Sequence, residues 1–338
     1  MKTLICNAPH DMEYIERDKP TYQPNEALIK LKAAGICGTD IHAYTGNQPF
    51  FSYPRVLGHE LCGVVEECGE SCSDIRIGDR VSVIPCVACG DCVACAEGKT
   101  NCCENVSLYG VHQDGGFCEY LAVLESNLVK VNSNLSDSTV ALTECFAIGA
   151  HAVRRGQVAD GENVLVIGAG PIGIGAAAIA KARGANVVVA DVNPSRQAHV
   201  ESTLNVKAVN PLSDSFEADL RAQFSGELAD TLMDATGNKA SMTNAVNFIR
   251  HGGKMVFIGL YIGDLQIDDP TFHKKETTLI SSRNATREDF ETVLAFFESG
   301  ALSEDMMVNQ EFDFHTFGED YASVVASNQT LIKGVVKY

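Results

Sequence analysis

One segment constrains this chain more than any other. Val164-Leu165-Val166-Ile167 runs directly into Gly168-Ala169-Gly170-Pro171-Ile172-Gly173, a G-x-G-x-x-G turn, and an alanine-rich stretch follows. No charge occurs from Val164 to Ala180, but five glycine or proline residues interrupt the run, so a buried strand–turn–helix is expected rather than a membrane span. The pattern then repeats. Strands are expected at 163–167, 186–190, 231–233, 255–258 and 276–281, with helices at 171–183 and 240–250. Alternation of this kind folds into a parallel, doubly wound sheet.

The glycines have separate duties. Gly168 permits the tight turn, Gly170 lets a pyrophosphate approach the backbone, and Gly173 lets the helix pack on its strand. Pro171-Ile172-Gly173 then open a helix whose first backbone N–H groups and dipole favour phosphate. A glycine turn alone is weak evidence; Asp191, closing the second strand, strengthens it. Its carboxylate suits ribose hydroxyls and repels a 2′-phosphate, which favours NAD over NADP, although Arg196 nearby tempers that preference.

At 338 residues the chain should divide into two domains. Residues 1 to about 146 read as short strands and turns, such as Ala27–Leu31 and Gly63–Val65. After Arg283 come a helix at 287–298 and a last strand at 332–336. A net charge of −18 disfavours nucleic acid, since nothing would neutralise phosphates. The first residues lack the apolar run of a signal peptide, and the expected location is the cytoplasm.

Thirteen cysteines in a reducing compartment favour metal over disulfides. Cys89-x2-Cys92-x2-Cys95-x7-Cys103 offers four thiolates on short spacers, as a closed tetrahedral zinc site requires. The spacers Gly90, Asp91, Glu97 and Lys99 cannot build a core, so a metal must hold the loop. Cys102 competes as fourth ligand, and Cys86 lies just outside the pattern. Four thiolates leave no open position, so this site is structural.

Two further patches carry metal-ligand chemistry: Gly35-Ile36-Cys37-Gly38-Thr39-Asp40-Ile41-His42 and Gly58-His59-Glu60. Read singly, Cys37 is as well explained as a core thiol and His59 as a satisfied buried imidazole. Together with Gly78-Asp79-Arg80-Val81, the four cysteines, Asp114-Gly115-Gly116-Phe117 and the glycine turn, they occur in family order, and the chain resembles the zinc-containing medium-chain dehydrogenases over its whole length. His59-Glu60 with Glu144 is similar to the sorbitol and threonine dehydrogenase branch. Gln48 to Arg55, Gly110 to Phe117 and Ser282 to Thr286 resemble bacterial sugar-acid dehydrogenases of the L-galactonate and L-gulonate 5-dehydrogenase type.

The resemblance implies a mostly β, GroES-like catalytic domain at 1–146 and 285–338, with its zinc lobe at 86–103, and a Rossmann domain at 147–284. It implies two zinc ions per chain and NAD. Cys37, His59, Glu60 and Glu144 become the ligands of a catalytic zinc, Thr39 and His42 a proton relay, and Arg283 a cofactor contact. Where the family has proline after the equivalent of Glu144, this chain has Cys145, a competing ligand or oxidation site. The implied reaction takes hydride from a secondary alcohol of a polyol or sugar acid, in a dimer or tetramer.

Substrate recognition is less legible. A substrate carboxylate calls for a cation, and Arg55, His112, Lys274 and Arg283 are candidates. Phe50 and Phe51 suit a pocket wall or the core equally. A neutral polyol or L-threonine dehydrogenase is the alternative enzyme. A nucleotide-binding protein without turnover should have shed the metal ligands, which are all present; redox sensing would rest on Cys145 and Cys102.

Overall fold

The computed structural model describes residues 1–48, 51–326 and 330–338; Phe50 lies outside them. The chain forms two compact units, one of residues 1–144, 285–298 and 308–338, the other of residues 145–284 and 299–307.

The first unit is built on antiparallel sheet. Its largest sheet places Leu128–Lys130, Arg80–Val83, Glu60–Cys68, Glu26–Ile36, Lys333–Lys337 and Val308–Asp313 side by side, and Tyr120–Leu124 also pairs with Glu26–Ile36. Only the pair Val308–Asp313 and Lys333–Lys337 runs parallel. Inward residues of these strands, among them Ile29, Leu31 and Leu61, pack with Leu4 and Phe117 from outside this sheet into one core. Glu26–Ile36 lies between Glu60–Cys68 and Lys333–Lys337, pairing Gly35 with Glu60 on one side and Ile36 with Gly334 on the other. Three strands therefore converge just before Cys37.

Besides the short helix Val93–Ala96, two longer helices interrupt what the sequence suggested was strand and turn alone. Gly38–Tyr44 starts at Cys37, where Asp40 accepts the Cys37 N–H in a capping box. Asp137–Arg155 follows Ser136, whose Oγ accepts the Thr139 N–H. The second helix carries Glu144.

In the second unit six parallel strands lie in the order Lys207–Val209, Asn186–Ala190, Asn163–Ile167, Ala229–Asp234, Ile249–Phe257 and Thr278–Ser281. This is the 3-2-1-4-5-6 order of a dinucleotide-binding sheet, with its crevice where the order reverses. The central strands Asn163–Ile167 and Asn186–Ala190 are almost wholly Val, Ile, Leu and Ala because both of their faces are covered. The helix expected at 240–250 is shorter. Asn238 caps a helix at Lys239–Asn244, a 3-10 turn follows at Ala245–Phe248, and Ile249–Arg250 already belong to the next strand. Pairing of Ile249 with Ala229 overrides an apolar spacing that suits a helix equally well. Among the described residues, no helix is long and apolar enough to cross a membrane.

Candidate active site and nucleotide site

Cys37 directly follows one strand and Glu60 opens its neighbour, so the ligand atoms of Cys37, His59 and Glu60 lie within 4.8 Å of one another. Asp40 ties the two chain turns together. Fully buried, it accepts from Cys37 N at 2.8 Å and from Gly58 N at 3.0 Å, and its Oδ1 is 3.7 Å from His59 Nδ1. Gly58, at φ +88°, needs the left-handed region to turn the chain here, and a Cβ would also strike the Phe117 ring. Asp40 was not singled out from the sequence, although it sits inside the quoted motif.

The site has the electrostatics of a cation-binding pocket. Burial disfavours a charged His59, yet Cys37 and Asp40 beside it hold the ring well above its usual pKa. Burial also raises Asp40, against the pull of His59 and two backbone donors. Glu144 stays outside the 4.8 Å group. Burial pushes its carboxyl up to about 7, with His59 and Lys333 opposing and Glu60 reinforcing the rise. Two buried atoms, His59 Nδ1 and Glu60 Oε2, have no hydrogen-bond partner. An orphaned imidazole nitrogen and carboxylate oxygen beside a thiol are the donor set that zinc takes, so these residues fit the metal.

The other oxygen of Glu60 is occupied. Lys333 Nζ donates to Glu60 Oε1 at 2.5 Å and to Ile36 O at 3.1 Å, with both side chains about 1% exposed. A Cβ on Gly35 would fall 1.9 Å from Glu60 Oε2, so glycine is what leaves the carboxylate its place. Lys333 gave no sequence signal; only the strand order brings it to residues 273 positions away.

Thr39 and His42 lie on one short helix at i,i+3 spacing, which puts them on the same face, Thr39 half-buried and His42 exposed. Cys145 is buried one residue beyond Glu144 and is not part of the ligand group.

The four lobe cysteines converge as their spacing implies. Cys89, Cys92, Cys95 and Cys103 have sulfurs within 4.8 Å of one another, with Cys92–Cys95 and Cys89–Cys103 both at 3.4 Å. A zinc tetrahedron with Zn–S of about 2.3 Å has S···S edges of roughly 3.8 Å, so the set fits. No residue of the helix Val93–Ala96 is buried, so no apolar core holds this loop. Backbone N–H groups of Glu104 and Cys95 bring the Cys92 thiol down to about 6, which favours thiolate. Cys102 and Cys86 stay outside the group.

In the second unit the glycine turn forms as expected. Gly168 sits at φ +101°, and a Cβ on Gly173 would lie 1.7 Å from Gly168 O. A Cβ on Gly170, by contrast, would meet nothing within 4 Å. That open space adjoins a cavity of about 710 Å³ lined by Gly168, Gly170, Asp191, Arg196, Thr236 and Asn238. Pro171 and Ile172 form the first turn of the helix at its edge. Asp191 accepts Ala169 N and Asn193 N, each at 2.7 Å, one on each oxygen. A carboxylate has about four acceptor positions, so capacity remains for ribose hydroxyls. Arg196 Nε is buried without a partner. The exposed Val192 and Leu212 flank the same cavity and give an adenine ring apolar surface.

The cations considered for a substrate carboxylate are either engaged by other groups or exposed. Arg55 bonds Ser52 Oγ at 3.1 Å and pairs with Asp114 at 3.6 Å; the same carboxylate also takes Arg17. His112 Nδ1 accepts Leu108 N. Lys274 and Arg283 are exposed, and Arg283 does not line the cavity at Asp191. Phe51 packs on Tyr53 against the first unit's core.

Residues 23–133 match the model of the alcohol dehydrogenase GroES-like domain, and residues 171–299 that of the zinc-binding dehydrogenases. L-galactonate-5-dehydrogenase of Escherichia coli K12 is 54% identical over 338 residues, covering 100% of this chain and 99% of the relative. An L-threonine 3-dehydrogenase of Shewanella loihica is 35% identical over 273 residues, 79% of this chain and 80% of the relative. Among solved structures, the alcohol dehydrogenase RspB of E. coli CFT073, complexed with NADH, superposes with a TM-score of 0.93 at 30% identity, covering 100% of this chain and 99% of that one. A Cys–His–Glu pocket, a four-cysteine lobe and a six-stranded dinucleotide sheet on one chain thus accompany these likenesses, and the chain belongs to the family of zinc-binding alcohol dehydrogenases with a GroES-like domain.

Proposed function

We propose that this protein is an NAD-linked, zinc-dependent dehydrogenase that oxidises a secondary hydroxyl of a sugar acid, in the manner of an L-galactonate 5-dehydrogenase. The observation that carries the reading is the pocket of Cys37, His59 and Glu60, with two buried donor atoms lacking partners. These three residues hold a catalytic zinc, with Glu144 close enough to act on His59 and available as an exchanging fourth ligand. Cys89, Cys92, Cys95 and Cys103 hold a second, structural zinc.

The metal supplies a Lewis acid that acidifies the substrate hydroxyl, and the dinucleotide supplies the hydride acceptor. The chain does the rest. Asp40 fixes Cys37 against His59, and Thr39 accepts the hydroxyl proton, which leaves through the exposed His42. Gly168, Gly170, Pro171, Ile172 and Gly173 seat the pyrophosphate. Asp191 takes the adenosine ribose, and its charge excludes a 2′-phosphate. Arg196 and Arg283 are further cofactor contacts. The sugar-acid reading draws on the 54% identity to the E. coli enzyme, against 35% for the threonine dehydrogenase. The assembly is a homodimer or homotetramer, which light scattering reads directly.

Steady-state kinetics with hexonates, hexitols and L-threonine, each with NAD and NADP, test the assignment. The expected result is highest kcat/KM with L-galactonate or L-gulonate and NAD. A hundredfold preference for sorbitol over every hexonate would remove the sugar-acid reading.

A further inference from the structure

Among the described residues, Lys333 is the one lysine or arginine that is fully buried. Burying an ammonium is costly unless a charge and further acceptors compensate it, so its partners report what it is for. Those partners are specific: Ile36 O, one residue before Cys37, and Glu60 Oε1. Both belong to chain segments that end in proposed metal ligands, and Lys333 reaches them from a third strand. The carboxylate is thereby divided. Oε1 faces the ammonium, and Oε2 has no partner and lies where a Cβ on residue 35 would collide with it.

We propose that Lys333 is a positioning residue that holds back half of the Glu60 carboxylate, leaving Oε2 as a weakened, exchangeable metal ligand. This rests on the assignment of Cys37, His59 and Glu60 as the catalytic metal site. The pocket is rich in acidic side chains: Cys37 and Glu60 belong to the ligand group, Asp40 lies 3.7 Å from His59, and Glu144 is buried within electrostatic reach of His59 and Glu60. A metal gripped by all of them at full strength would lose electrophilicity. Lys333 offsets one of those charges permanently. Released from Lys333, Glu60 would give its full charge to the site, and a bound hydroxyl would be acidified less.

The consequence separates this role from a merely structural one. Loss of a structural lysine loosens the site and frees the metal sooner, whereas loss of a charge that competes with the metal for Glu60 makes the metal harder to remove. Lys333→Gln keeps an N–H donor for Ile36 O and Glu60 while removing the charge; Lys333→Arg keeps the charge. The holoenzymes are compared by zinc release to a chromogenic chelator, with the cysteine-lobe zinc as internal reference, by the visible absorption of cobalt exchanged into the catalytic site, and by kcat and KM. In K333Q the catalytic zinc should leave about tenfold more slowly, the cobalt bands should shift, and kcat should fall about tenfold with KM no higher; K333R should stay close to wild type.

Zinc release from K333Q as fast as or faster than wild type, or an unchanged cobalt spectrum, overturns the role of Lys333. A wild-type chain carrying zinc in the lobe alone overturns the site assignment as well, so the two failures are distinguishable. If neither variant folds, the zinc-loaded wild-type crystal structure decides. Oε2 on the metal with Oε1 on Lys333 supports the role. Both oxygens on the metal, or Glu60 turned away from it, overturns it.

Discussion

Replacing Asp40 by asparagine keeps the shape of the side chain and removes one acceptor and the charge. Asp40 receives two backbone N–H groups, from Cys37 at 2.8 Å and from Gly58 at 3.0 Å, one on each oxygen. An amide can satisfy only one of them, because its NH₂ meets the other donor head-on. The unsatisfied N–H costs about 1–3 kcal/mol, and the remaining bond loses charge assistance worth about 1 kcal/mol. The sum, roughly 2–4 kcal/mol, falls on the two turns that carry Cys37 and His59. For a unit of this size about 3 kcal/mol lowers Tm by roughly 6–12 °C. His59 also loses the negative charge that lies 3.7 Å from its Nδ1, which weakens the site's hold on a cation. D40N should therefore carry zinc in the cysteine lobe, lose it readily from the catalytic site, and lose activity in proportion. Metal analysis after dialysis against a mild chelator, paired with calorimetry, reads both effects. A D40N protein that keeps both zinc ions, wild-type melting and wild-type kcat would refute the reasoning.

Three other outcomes follow from the same geometry. Gly170→Ala should fold and melt like wild type, since its Cβ meets nothing, yet bind NADH at least about tenfold more weakly in a fluorescence titration, because that open space is where the pyrophosphate belongs; Gly173→Ala, 1.7 Å from Gly168 O, should lose stability as well. Cys103→Ser should leave one zinc per chain and render residues 86–108 sensitive to limited proteolysis, because no apolar core replaces the metal there. Burial raises the Tyr109 hydroxyl to about 12, so its contribution to stability is intact below pH 10 and disappears as pH rises from about 10 through 12. That loss amounts to about 2–3 kcal/mol, and Tyr109→Phe should flatten this part of the stability curve in denaturant titrations from pH 9 to 12.

What could be read in the sequence was whatever its chemistry confines to a short stretch. The four lobe cysteines span fifteen residues, and loop closure over that distance needs no knowledge of the fold. The glycine turn and Asp191 are joined by a single strand–helix–strand unit, so their spacing carries their geometry. Cys37 and His59 were readable only through the company they keep, because strand pairing brings them together. Asp40 stood in plain view within its motif, but that it bridges two turns depends on where Gly58 lies. Lys333 could not be found at all, since no pattern links residue 333 to residue 60 except the order of strands in the sheet. Arg55 illustrates the opposite failure. An arginine suits a carboxylate substrate, but Asp114 already supplies the carboxylate. The helix expected at 240–250 failed for a tertiary reason, because Ile249 is drawn into the sheet by Ala229.

The central claim is that one chain holds two metal ions of unlike coordination. Anomalous diffraction at the zinc edge from crystals of the protein purified without chelator tests it most directly. Two peaks are expected, one enclosed by Cys89, Cys92, Cys95 and Cys103 and one bonded to Cys37 and His59 with Glu60 Oε2 facing it. A single peak in the cysteine lobe, with Cys37 and His59 bare in zinc-replete protein, would contradict it.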